Sequence, residues 1–214
     1  MVDRVIIDPR FNGPPDSGNG GVTCGLVAVA TGLRQVTLRR PPPLGVELEV
    51  SGNQLLEREH VVAEAVAASV SVVPPSAVTV DEAHAARAGF RGLEDHPFPT
   101  CFVCGTGRSD GLGLLPGPVN GVVAADWTPA DDDPVMVWAA LDCPGGWSID
   151  LPGRRMVLGR MALRLDQLPV PGEAHVVQGW LVGAEGRKAQ TGSALYDASG
   201  RVLAVAEATW IAIA

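Results

Sequence analysis

Apolar and polar residues follow two rhythms along this chain. Over Gly45-Val46-Glu47-Leu48-Glu49-Val50, apolar and acidic side chains alternate with period two, as expected of a strand with one face in water. Apolar, β-branched runs predict strands over 4–8, 35–40 and 45–51, with a further β-branched stretch ending near Val73. In the second half, the same pattern predicts strands over 121–127, 157–165, 173–182, 188–196 and 202–213. Asp197-Ala198-Ser199-Gly200 separates the last two runs and reads as a hairpin turn. Two apolar segments read instead as helices. The first covers about 19–31, and Asn19 at its start is a good N-cap. The second covers about 134–143; Pro134 suits its first turn, and Asp131, Asp132 and Asp133 lie at its positive end. A third, short helix is predicted over 80–87, capped by Thr79.

These elements come in a repeated order. Each half reads as a short strand, a loop, an apolar helix, and then strands. Val36-Thr37-Leu38-Arg39-Arg40-Pro41-Pro42-Pro43-Leu44-Gly45 echoes Ala162-Leu163-Arg164-Leu165-Asp166-Gln167-Leu168-Pro169-Val170-Pro171-Gly172: both are strands that break on prolines and restart at glycine. A helix followed by an antiparallel sheet, twice, predicts an α+β fold. The expected division is a unit over 1–90, a Pro/Gly/Cys-rich linker over 91–118 and a second unit over 119–214.

Composition narrows the function classes. At 214 residues with 46% hydrophobic content, the chain has room for substantial cores. Charges, Gly or Pro interrupt every apolar run before the roughly 18 residues of a membrane span. The N-terminus, Met1-Val2-Asp3-Arg4-Val5-Ile6-Ile7-Asp8, lacks the layout of a signal peptide, so a cytoplasmic location is expected. A net charge of −8 with a single lysine, Lys188, argues against nucleic-acid binding. Four cysteines are too few for a disulfide scaffold and suit free thiols in a reducing compartment.

The layout resembles the hot-dog fold of acyl-thioester hydrolases and dehydratases. Thioesterases of the phenylacetate-pathway type carry His-Gly-Gly at the helix start and an acid nine residues after the His, in a Leu-x-Asp context. Asn19-Gly20-Gly21 stands where that family has His-Gly-Gly, but the acid position falls on Ala28. Leu141-Asp142 stands where the family has its acid, but nine residues earlier are Asp133-Pro134-Val135, without the glycine pair. The segment Ala139-Ala140-Leu141-Asp142-Cys143-Pro144-Gly145-Gly146-Trp147 is also similar to a signature of uncharacterised actinobacterial thioesterase-like proteins. The resemblance implies two tandem hot-dog units sharing one composite active site, so that a monomer mimics the usual dimer; further homo-oligomerisation stays open.

On that reading the catalytic residues are Asp142, Gly20 and Gly21. The free N–H groups of Gly20 and Gly21, at the positive end of a helix, would hold a developing oxyanion. Asp142 would act as general base or nucleophile, with its apolar helix raising its pKa. Asn19, Asn12, Trp138 and Arg160 are the substrate-binding candidates. The implied substrate is an acyl-CoA or an acyl-carrier thioester; Arg39-Arg40, Arg154-Arg155 and Arg187-Lys188 are the paired basic sites that phosphates would need. Each feature also has an ordinary structural explanation. Asp142 could simply bond the turn that follows, the glycines could mark a tight loop, Trp138 could be core, and arginine pairs are commonly solvated surface.

Cys101-Phe102-Val103-Cys104 is half of a zinc site by spacing. Cys143 or His84 would have to complete it, and no second CxxC exists, so neither a metal nor another cofactor is expected and a packed linker with buried thiols is the simpler account. Two other functions compete with hydrolysis. One is a catalytically silent acyl- or lipid-binding protein. The other is a hydratase or dehydratase, disfavoured because none of His60, His84, His96 and His175 falls on a predicted central helix.

Overall fold

Strong apolar runs and well-capped helix starts translate directly into the elements observed in the computed structural model, which describes residues 4–149, 151 and 153–213. Residues 1–3, part of the N-terminal stretch discussed above, lie outside the described residues. In chain order the elements are β1 (Arg4–Ile6), α1 (Gly20–Thr31), β2 (Gln35–Leu38), β3 (Glu47–Ser51), β4 (Gln54–Glu57), β5 (His60–Val66), α2 (Val80–Ala86), β6 (Gly117–Val119), β7 (Val122–Trp127), α3 (Pro134–Trp147), β8 (Met156–Leu165), β9 (His175–Glu185), β10 (Lys188–Asp197) and β11 (Val202–Ala212). All strands join one antiparallel sheet in the order β1-β3-β4-β5-β2-β8-β11-β10-β9-β7-β6. The class is α+β, as expected.

The sheet order repeats. Counting strands from the start of each half, β1-β3-β4-β5-β2 and β7-β9-β10-β11-β8 follow the same sequence, first, third, fourth, fifth, second. The halves meet where β2 pairs antiparallel with β8, with Val36 opposite Met161 and Thr37 opposite Arg160. In both halves the strand at the join is the one that follows the helix.

Both long helices are apolar almost all round, as a helix enclosed by other elements must be. They cross antiparallel at close range. A Cβ on Gly21 would lie 2.6 Å from Asp142 Cβ and 2.6 Å from the Trp138 carbonyl, and one on Gly25 would lie 3.0 Å from Val135 Cα and from Trp138 Cβ. Small residues at this spacing let the two backbones approach, and a single apolar core spans both halves. Gly21 and Gly25 of α1 therefore serve helix–helix contact.

Two expectations change. First, α3 does not end at Cys143 but runs on through Pro144, Gly145 and Gly146 to Trp147. Pro-Gly-Gly breaks helices in water, but this end is buried: Gly146 lies against the Trp210 ring with no room for a Cβ, and Ser148 N–H donates to the Pro144 carbonyl at 3.1 Å. Second, the β-branched stretch after residue 51 divides into β4 and β5, and the chain beyond Val66 leaves the sheet to cross the outer face of the second half. There Val78 N–H donates to Gln178 Oε1 at 2.6 Å, and Tyr196 Oη donates to the Pro75 carbonyl at 2.7 Å. The short helix α2 forms with the expected cap, Thr79 and Glu82 making a reciprocal capping box.

Candidate functional site

The start of α1 is built by its own cap. Asn19 Oδ1 accepts from Val22 N–H at 2.9 Å, which orders the first turn and leaves the Asn19 Nδ2 group to point elsewhere. It donates to Asp142 Oδ2 at 3.1 Å, and Gly21 N–H donates to the same oxygen at 3.0 Å. Asp142 reaches this point because α3 crosses α1 at Gly21. Residues 123 and 121 positions apart in sequence thus share one hydrogen-bonded cluster.

Asp142 is 2% exposed, and its other oxygen, Oδ1, is buried with no hydrogen-bond partner. Burial pushes its carboxyl up to about 7; the amide of Gly21 and the Asn19 side chain oppose that rise, and the nearby Cys101 adds to it. Among the described residues the N–H of Gly20 has no hydrogen-bond partner. The two amides proposed as an oxyanion hole therefore differ: Gly21 holds the carboxylate, and Gly20 is free for another acceptor.

Gly20, Asn19 and Asp142 line a cavity of about 460 Å³. Its remaining wall is mostly apolar: Leu38 at the end of β2 and Pro42 after it, Phe98 from the loop before Cys101, Trp147 from the end of α3, Met156 and Leu158 from β8, Trp210 and Ile211 from β11, and Ile213 just after it. Trp210 Nε1 is a second buried polar atom without a partner. Arg39 and Arg40 lie at the rim; Arg39 is tied to Glu64 at 2.7 Å, and Arg40 is exposed.

Three of the proposed substrate contacts are elsewhere. Asn12 is bound into its own loop, donating to Thr100 Oγ1 at 3.1 Å and accepting from Arg108 at 2.9 Å, and does not line the cavity. Trp138 is 4% exposed and lies in the helix crossing against Gly25; sharing a helix face with Asp142 places it in the core because that face meets α1. Arg160 is exposed on the outer face of β8, bonded to Thr37 Oγ1 at 3.1 Å, since the strand's alternation turns it away from the helices.

Sequence reasoning missed the contribution of 96–104, taken there as linker. His96, Pro97, Phe98, Cys101 and Cys104 all line the cavity. His96 is fixed by both ring nitrogens: Nδ1 accepts from Phe98 N–H at 3.0 Å, which leaves Nε2 to donate to the Cys104 carbonyl at 3.1 Å. With both nitrogens engaged it is poorly placed to serve as the partner of Asp142 in an Asp–His pair. Cys143, next to Asp142 in sequence, comes to the CxxC: the three sulfurs of Cys101, Cys104 and Cys143 lie within 4.8 Å of one another. His84, the other candidate for completing that set, pairs instead with Asp126 at 3.1 Å. The CxxC itself was the signal, but only the fold could say which distant residue meets it.

No family model and no curated protein matches the chain. Solved structures do. A candidate thioesterase II from Thermobifida fusca matches with a TM-score of 0.61 at 13% identity, over 99% of this chain and 92% of that one. The TesB protein of Mycobacterium avium subspecies paratuberculosis matches at 0.59 and 9% identity, over 99% and 94%. A candidate thioesterase from Novosphingobium aromaticivorans matches at 0.58 and 14% identity, over 99% and 95%. At these identities the likeness is one of fold, and it extends over nearly the whole length of each protein. No helix among the described residues is long and apolar enough to cross a membrane.

Proposed function

We propose that this chain, which has the fold of thioesterase-superfamily, TesB-like proteins, hydrolyses acyl thioesters at the cavity between the start of α1 and Asp142. On this reading it is two tandem hot-dog units, over about 1–90 and 119–214, with one composite site. The observation that carries the proposal is the meeting on one apolar cavity of Asp142, whose Oδ1 has no hydrogen-bond partner, and Gly20, whose N–H has none among the described residues. The repeated sheet order and the join at β2 and β8 support the tandem arrangement.

The thioester carbonyl oxygen accepts from Gly20 N–H, at the positive end of α1. Water attacks the carbonyl carbon while Asp142 Oδ1 takes its proton. The oxyanion so formed is held by the amide, a donor of a kind worth about 3 kcal/mol where the site is dry. The carbon–sulfur bond then breaks, and the proton passes from Asp142 to the leaving thiolate. Asn19 and Gly21 hold Oδ2, which fixes the carboxylate and leaves Oδ1 to act as the base. The apolar wall takes the acyl chain, and Arg39 and Arg40 at the rim suit the phosphates of coenzyme A.

The test is hydrolysis of a panel of acyl-CoAs by the wild type and Asp142→Asn. Turnover by the wild type and its loss in the variant are expected; equal rates in both would remove Asp142 from the mechanism. A second reading, a silent acyl-binding protein, is favoured by the full engagement of Asp142 Oδ2 by α1. It expects thermal stabilisation by acyl-CoA with no turnover in either protein.

A further inference from the structure

We propose that Cys101, Cys104 and Cys143 bind a zinc ion whose fourth coordination position opens on the cavity. Zinc–sulfur bonds of about 2.3 Å at tetrahedral angles set the sulfurs roughly 3.8 Å apart. Cys101 Sγ and Cys143 Sγ are 3.8 Å apart, and Cys104 Sγ completes a triangle with no side above 4.8 Å. A disulfide would require about 2.05 Å.

The local chain is shaped around the first of these sulfurs. Cys101 to Gly105 forms a tight turn closed by Gly105 N–H donating to the Cys101 carbonyl at 2.8 Å. A Cβ at Gly105 would meet that carbonyl oxygen at 2.5 Å and the Pro99 oxygen at 2.6 Å, so glycine is required there. Asn19 Nδ2 points at Cys101 Sγ from 3.8 Å. A donor aimed at the sulfur suits a thiolate ligand; a thiol merely filling core space needs none. The three cysteines come from a loop and a helix, and all three line the cavity, whereas the fourth, Cys24, is buried elsewhere.

Among the described residues, no protein group completes a tetrahedron. Both nitrogens of His96 are engaged, and Asp142 lies outside the cluster of sulfurs. The remaining position faces the cavity, where water fills it and a small thiol displaces that water. The ion would fasten the loop around Cys101 to α3, the helix that carries Asp142.

The experiment uses the full chain expressed with zinc in the medium. Elemental analysis should find one zinc per chain. Cys101→Ser and Cys143→Ser should each weaken zinc binding, in competition with a chromophoric chelator, by at least the ~10- to 100-fold that losing an outer partner of a ligand costs; Cys24→Ser should bind as the wild type does. Should a serine variant fail to fold, the cobalt-substituted wild type decides: sulfur-to-cobalt charge-transfer bands of a tetrahedral site are expected, changing when 2-mercaptoethanol is added. A metal-free chain that still binds none after refolding with zinc, a Cys101–Cys104 disulfide in the purified protein, or undiminished binding in Cys143→Ser would each overturn the metal site. Cobalt bands unmoved by the thiol would overturn the open position. Metal content is read without any assay of hydrolysis, and Asp142→Asn should keep its zinc, so the two proposals fail separately.

Discussion

The two long helices begin alike and then diverge. Asn19 Oδ1 accepts from Val22 N–H at 2.9 Å to cap α1, and Asp133 Oδ1 accepts from Val135 N–H at 2.8 Å to cap α3. After the cap, α1 continues with Gly20 and Gly21; α3 continues with Pro134, which has no N–H to offer, and Val135, whose N–H the cap has taken. Nine positions beyond each cap stand Ala28 and Asp142 respectively. Only the start of α1 lines the large cavity; Asp133, Pro134 and Val135 do not. Both ends meet the needs of folding, an N-cap and close helix packing. The start of α1 alone adds a free amide, a buried acid and a place for a ligand. A repeated architecture needs its structural residues in both copies, whereas the groups proposed for chemistry are needed only once.

The comparison is broken most directly at Asp142. Asp142→Asn keeps the volume and the acceptor for Gly21, so the fold should persist while hydrolysis falls by about 10²- to 10⁴-fold, the usual contribution of a general base; steady-state kinetics and circular dichroism check both halves of that statement. Gly21→Ala comes next. Its methyl has nowhere to go against Asp142 and the Trp138 backbone, so overpacking should cost about 1–3 kcal/mol and lower Tm by several degrees. Gly20→Ala should cost a similar amount, because there the methyl would lie 2.7 Å from Leu158 Cβ, an atom that moves only with its backbone.

The two caps sharpen the contrast. Asn19→Ala and Asp133→Ala should each cost about 1 kcal/mol in chemical denaturation. Only Asn19→Ala should also lower kcat, because Asn19 Nδ2 holds Asp142 Oδ2; equal kcat values in the two variants would argue that Asn19 does no more than cap. The smallest effect is expected at Arg160, on the far face of the sheet: Arg160→Ala should stay within about 0.5 kcal/mol of the wild type with unchanged turnover.

Much of the fold was legible because it is local. Asn19, Thr79 and Pro134 announced their helices by capping chemistry, and period-two alternation announced the strand at Glu47–Ser51. The count of nine from Asp133 to Asp142, set against Asn19 to Ala28, pointed to a division of groups between the halves, and Gly21 and Asp142 are indeed in contact. The end of α3 was misjudged because Pro144-Gly145-Gly146 stops a helix in water and not in a groove that receives it. Arg160, Asn12 and Trp138 had the right chemistry for binding but face, respectively, outward, into a loop and into the helix crossing.

Sequence alone determined where helices start, which residues alternate across a strand and that the order repeats, since these depend on neighbours a few positions away. Tertiary structure alone decided that Asp142 is buried, that among the described residues Gly21 N–H finds a partner while Gly20 N–H does not, and that Cys143 meets Cys101. Desolvation and sulfur-to-sulfur distance are set by segments dozens of residues apart, and nothing local in either segment encodes which partner the crossing of two helices will deliver.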